Sequence, residues 1–235
     1  MLSGSRKILG FVVVLAILSS SAALRPASAD ILKYLGPAYG GYVSTTGLEN
    51  SPSPPLPVSD HPGAGAFSIL NLTAGGGSFA AWCVDIYSLL NTSSSGTSYT
   101  LTPGTEFFGG SQVTALERLA SQHLASISTV TDSGAFQLAV WEIVYESSGT
   151  YDLGSGNFQI ASASGNALAT ANAWLSALGD STPTLTLAVW TSSSSQDLAV
   201  FSAPIPEPEV YAMLLAGLGL MGFVVNRRRG VSAVG

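Results

Sequence analysis

At 235 residues with 26 Gly and 12 Pro, the chain is long enough for one domain or two small ones and too rich in helix breakers for a coiled coil or helical bundle. Charge is sparse and acidic: 8 Lys and Arg oppose 14 Asp and Glu, and between residues 30 and 206 only Lys33 and Arg118 face twelve carboxylates. Phosphate binding needs clustered Lys and Arg, so this balance argues against nucleic acid as a partner.

Residues 1–29 have the pattern of a secretory signal peptide. Arg6 and Lys7 form a positive start, Ile8 to Leu18 an apolar run too short to span a bilayer, and Ala27-Ser28-Ala29 a cleavage site before Asp30. The exported domain then covers residues 30–203. Lys33 to Ser44 alternates aromatics and glycines as an opening strand, and the prolines of Ser51 to Pro62 predict an extended loop. Phe67 to Thr73, a turn at Ala74-Gly75-Gly76-Gly77, and Phe79 to Tyr87 read as a β-hairpin. Asn91 to Ser98 is a loop, and Tyr99 to Thr102 a short strand.

The period then changes. Leu116, Leu119, Ala120 and Leu124 share one face of a helix over Val113 to Ile127. Asp132 or Ser133 caps a second helix, Ala135 to Glu146, and a third, Ala167 to Leu178, stops at Gly179. Leu185 to Trp190 and Leu198 to Phe201 form a closing hairpin around a serine-rich turn. Strands first, helices in the middle and strands last predict an α+β domain, a β-sandwich or barrel-like body with a helical insert. Residues 204–235 complete the chain. Pro206-Glu207-Pro208 precedes a sixteen-residue apolar stretch, Val210 to Val225, followed by Asn226 and Arg227, Arg228 and Arg229. Sixteen residues give a helix of roughly 24 Å, short for a single transmembrane helix but workable with flanking residues. The arginines should stay cytoplasmic, which leaves the domain outside.

Together these last features resemble the PEP-CTERM sorting signal of exported proteins in Gram-negative bacteria that make exopolysaccharide. The resemblance implies recognition of Pro206, Glu207 and Pro208 by an exosortase. It also implies transient residence in the inner membrane, then release to the cell surface or extracellular matrix after C-terminal processing.

Few residues offer chemistry. His61 and His123 are the only histidines and fit no zinc spacing, there is no G-x-S-x-G elbow, and the glycine runs lack a phosphate-loop pattern, so neither a metal nor a cofactor is expected. Glu142 and Glu146, four apart, read as a solvated helix face, and His123 as a partly exposed surface residue. The single cysteine, Cys83, can be a buried small hydrophobe, half of an intermolecular disulfide, or a nucleophile paired with His123.

Two segments set Cys83 apart. Phe79 to Tyr87, with Trp82-Cys83-Val84-Asp85, and Ala135 to Ile143, with Phe136-Gln137-Leu138-Ala139-Val140-Trp141, resemble the two signatures of bacterial thioester domains. Phe136 stands where Gram-positive members often carry Thr. The resemblance implies that the Cys83 sulfur attacks the Gln137 side-chain carbonyl, ammonia leaves, and an internal thioester remains in a dry pocket of Trp82, Asp85, Phe136 and Trp141. An amine on a surface or matrix target would open it, making an adhesin that reacts once and is not an enzyme. The alternative is a noncovalent structural or carbohydrate-binding protein of the exopolysaccharide matrix, which the Ser/Thr/Gly-rich loops would also suit.

Overall fold

The computed structural model describes residues 29–50, 62–146, 149–204 and 213–221. The strands are β1 (Asp30–Pro37), β2 (Val43–Asn50), β3 (Gly63–Ala64), β4 (Phe67–Asn71), β5 (Ser78–Cys83), β6 (Thr97–Pro103), β7 (Phe158–Ala163), β8 (Thr186–Thr191) and β9 (Leu198–Ser202). Among the described residues four α-helices, α1 (Gly104–Phe107), α2 (Gly110–His123), α3 (Val130–Tyr145) and α4 (Ala167–Ser176), are inserted between β6 and β8. Six antiparallel strands close a barrel in the order β1-β4-β5-β9-β8-β6, and β3-β2-β7 make a separate three-stranded sheet. The architecture is therefore mixed α/β with a closed six-stranded barrel.

Period-2 alternation fills the barrel. Leu32, Ile69, Ala81, Tyr99, Trp190 and Leu198, one from each barrel strand, form a buried cluster. A larger core joins the barrel to the small sheet and the helices, with α3 at its centre. Every residue of α3 from Ser133 to Ile143 is buried, which matches an apolar run with no polar face.

Several expected elements stand with shifted bounds: the β4–β5 and β8–β9 hairpins pair as anticipated. Others need correction. The opening strand is two, because the chain turns between Pro37 and Val43, with Gly40 in the left-handed region at φ +82°. β5 ends at Cys83, so Asp85 to Tyr87 lie in a turn. Helix α3 starts one turn early: Thr129 is the cap, its side chain accepting the Asp132 N–H at 3.1 Å while the Asp132 carboxylate accepts the Thr129 N–H at 3.1 Å. Strands β2, β3 and β7 were not legible; β2, with its serine, threonines and Gly47, carries little apolar alternation.

The serine- and proline-rich loop through residue 61, the sorting tripeptide, the terminal arginines and nearly all of the signal segment lie outside the described residues. Of the C-terminal apolar stretch, residues 213–221 are described, and they are helical. Among the described residues no helix is long and apolar enough to cross a membrane.

One glycine sets how closely α3 approaches the sheet. A Cβ on Gly134 would lie 2.2 Å from Val43 Cγ2 and 2.6 Å from Val43 Cβ. The adjacent Ser133 Oγ accepts the Ala66 N–H at 2.8 Å. Gly134→Ala should therefore push α3 off β2 and destabilise the domain by about 2 kcal/mol despite the better helix propensity of Ala, read as a lower urea midpoint.

Candidate functional site

Cys83 closes β5, and Gln137 lies in the second turn of α3. Alternation along β5 turns Trp82 away from Cys83 toward α3, where its ring meets Phe136 at 4.9 Å, with Phe201 completing the aromatic cluster. Helical spacing places Gln137, Trp141 and Tyr145 at i, i+4 and i+8 on one face of α3.

Two hydrogen bonds join the segments. The Cys83 N–H donates to Gln137 Oε1 at 2.9 Å, and Gln137 Nε2 donates to the Cys83 carbonyl at 2.8 Å. Both residues are buried, Cys83 with 1% of its surface exposed and Gln137 with none. The side-chain amide thus lies on the peptide groups of Cys83 itself.

The turn after Cys83 is held from three directions. The Val84 N–H donates to the Asp197 carbonyl at 3.0 Å. The Tyr145 hydroxyl donates to the Val84 carbonyl at 2.9 Å and accepts the Ile86 N–H at 3.0 Å. The Asp85 carboxylate accepts the Tyr87 N–H at 2.9 Å, an Asx turn. The Cys83 thiol donates to the Asp85 carbonyl at 3.2 Å. Burial pushes this thiol up to about 12; the Trp141 indole N–H and the bond to Asp85 oppose the rise, and the Asp85 and Asp197 charges add to it. Among the described residues Trp141 Nε1 has no partner of full hydrogen-bond geometry, so its role toward the sulfur is electrostatic.

A cavity of about 250 Å³ opens beside Cys83, lined by Cys83, Trp141, Phe67, Ile86, Leu89 and Gln196 among others. Of the residues expected in a dry pocket, Trp141 lines this cavity. Trp82 and Phe136 are buried in the aromatic cluster instead, and Asp85 acts through the turn. Two participants were missed. Tyr145 was open to detection as the next residue on the Gln137–Trp141 face. Gln196 reaches the cavity from the β8–β9 turn, for which no local pattern exists.

His123 is not among the groups acting on the sulfur. It stacks on Trp174 with ring centroids 4.5 Å apart, and burial lowers its pKa. Among the described residues no cluster of His, Cys, Asp and Glu could hold a metal ion.

Glu142 and Glu146 are not a solvated face. They are 0% and 5% exposed, and they clasp the segment before β7: Glu142 Oε1 accepts the Asp152 N–H at 2.7 Å and Glu146 Oε2 the Asn157 N–H at 2.6 Å. Burial first, then the Glu146 and Asp152 charges, push the Glu142 carboxyl up to about 7, against the bond from Asp152. A folded pKa above the unfolded value means that the folded state holds the proton more tightly, so stability should fall as pH rises from about 4.5 to 7, by about 3 kcal/mol in all. Glu142→Gln should flatten that slope in urea titrations across this range.

Comparison with known proteins concerns the other end of the chain. Residues 204–229 match the PEP-CTERM protein-sorting motif, the class of signal that Pro206-Glu207-Pro208, the apolar stretch and the arginines already indicated. The motif implies exosortase as the sorting partner and export with exosortase-mediated sorting to the surface of a Gram-negative cell. No curated protein and no solved structure matches the chain.

Proposed function

We propose that the chain is an exported surface or matrix protein in which Cys83 and Gln137 form an internal thioester that couples once to an amine on a target. The observation that carries this reading is the pair of hydrogen bonds between the Gln137 amide and the Cys83 peptide groups. In the forming step the Cys83 sulfur adds to the Gln137 side-chain carbonyl carbon. Negative charge develops on Oε1, which already receives the N–H of the nucleophile's own residue, an oxyanion donor preorganised in a dry site. The carbon–nitrogen bond then breaks, the thiol proton leaves with the nitrogen, and the products are ammonia and the thioester.

With its thiol raised to about 12, Cys83 is protonated at neutral pH, so the proton passes over during the attack. The Trp141 N–H supports negative charge on the sulfur as that happens. A target amine reverses the exchange at the same carbon: a carbon–nitrogen bond forms, the carbon–sulfur bond breaks, and a proton from the amine restores the thiol. The product is an amide to Gln137, with no cofactor and no regeneration. Sorting to the cell surface would place this reaction where a permanent link to a matrix or host amine is useful.

Intact-mass measurement tests the reading. The exported domain should lack the mass of one ammonia, and Cys83→Ala and Gln137→Ala should each restore it. The same two hydrogen bonds would also serve a purely structural glutamine, the arrangement expected of a noncovalent matrix protein. A wild-type protein of full mass would decide for that second reading.

A further inference from the structure

Gln196 lines the cavity beside Cys83 and carries a polar atom that has no partner among the described residues. Among the described residues Gln196 Oε1 is buried and has no hydrogen-bond partner, while the backbone of Gln196 is fixed by its N–H to the Leu89 carbonyl at 3.2 Å and by its carbonyl from the Tyr99 hydroxyl at 3.1 Å. A buried amide oxygen left without a donor is destabilising, which marks the Gln196 side chain as an acceptor that a donor in the adjoining cavity would satisfy. The other lining side chains are apolar apart from Cys83, the Ser88 hydroxyl and the Trp141 N–H, itself without a full partner among the described residues.

We propose that Gln196 is the positioning residue for the incoming amine and biases the acyl group toward aminolysis over hydrolysis. The inference rests on the thioester reading of Cys83 and Gln137. As an amine adds to the thioester carbon its nitrogen becomes cationic, and an N–H held by Gln196 Oε1 grows stronger in the transition state than in the ground state. The carbon–sulfur bond then breaks, electron density passes to the sulfur facing the Trp141 N–H, and the nitrogen's extra proton moves to that sulfur. Water differs in one respect. Its adduct must lose a proton early to a base, and an amide oxygen is too weak a base to take it. Gln196 therefore supports the amine without activating water.

The test uses n-butylamine as the probe on the folded exported domain, reading by mass only those molecules that start with the ammonia deficit. The ratio of butylamide to hydrolysed product is the measured quantity. Gln196→Leu removes the acceptor and should lower that ratio about tenfold. Gln196→Glu keeps an acceptor but adds a base, so it should retain butylamide formation and raise hydrolysis. A merely structural role would alter both products together. An unchanged ratio in Gln196→Leu, or unchanged hydrolysis in Gln196→Glu should the leucine variant not fold, overturns the proposal. A wild-type protein without the deficit overturns the thioester reading itself, and the role of Gln196 with it, whereas a deficit with an insensitive ratio removes Gln196 alone.

Discussion

Methylamine should add once to the folded wild-type protein, on Gln137, and expose one titratable thiol at Cys83. Before treatment, that thiol should resist alkylation even in denaturant. The contrast is close to all-or-none because the two states of the sulfur differ covalently. A thiol that is only buried is unreactive while folded, since burial holds it protonated at a pKa of about 12, and becomes fully reactive once the chain opens in the presence of reagent. A sulfur bound to an acyl carbon has no proton to lose in either state. Peptide mapping should place the adduct on Gln137, with Gln112, Gln122, Gln159 and Gln196 unmodified. An adduct on one of those four would mean that a thioester exists with a different partner. Full alkylation of the untreated, unfolded chain would mean that none exists.

The second large effect is on stability. Gln137→Leu should destabilise the domain by about 3 kcal/mol more than Cys83→Ala does, measured as the difference in unfolding free energy in urea. Either substitution abolishes a cross-link between residues 83 and 137, so that contribution cancels in the comparison. What differs is the fate of the Cys83 peptide groups. In Cys83→Ala the Gln137 amide still receives the residue-83 N–H and donates to its carbonyl. In Gln137→Leu the buried N–H and carbonyl both lose their partner, at about 1–3 kcal/mol each. Equal losses in the two variants would show that those hydrogen bonds contribute nothing beyond placing the reacting atoms.

These two experiments probe different properties of the same pair of residues. The first asks whether the chemistry occurs, and the second asks how the fold holds the reactants together. A noncovalent matrix protein would pass the second and fail the first, because the hydrogen bonds stabilise α3 against β5 whether or not the sulfur reacts.

How much was legible in the chain itself follows from the range of the interactions involved. Sorting is local: a tripeptide, an apolar stretch and an arginine cluster act in sequence order, so residues 204–229 could be read without a fold. The hairpins β4–β5 and β8–β9 and the four-residue spacing on α3 are likewise short-range patterns, set by alternation, turn residues and helical period. Cys83 and Gln137 stood out for the residue types around them, and the tertiary structure brings them into contact across 54 positions of chain.

Only packing decided the rest. Closure of the barrel depends on β1 meeting β6 and β5 meeting β9, pairings far apart in sequence that no local signal encodes. The same holds for β2 and β7: the serine, threonines and Gly47 of β2 give little alternation to read, and that of β7 is confined to Phe158, Gln159 and Ile160. Glu142 and Glu146 have the spacing of a solvated face, but the core surrounds α3 on all sides, and two distant backbone N–H groups supply the partners that permit burial. Gln196 enters the Cys83 cavity through the β8–β9 turn because the barrel closes there. Local periodicity can state which residues share a face; what that face meets is determined by long-range closure, and the reactive cavity is made of such meetings.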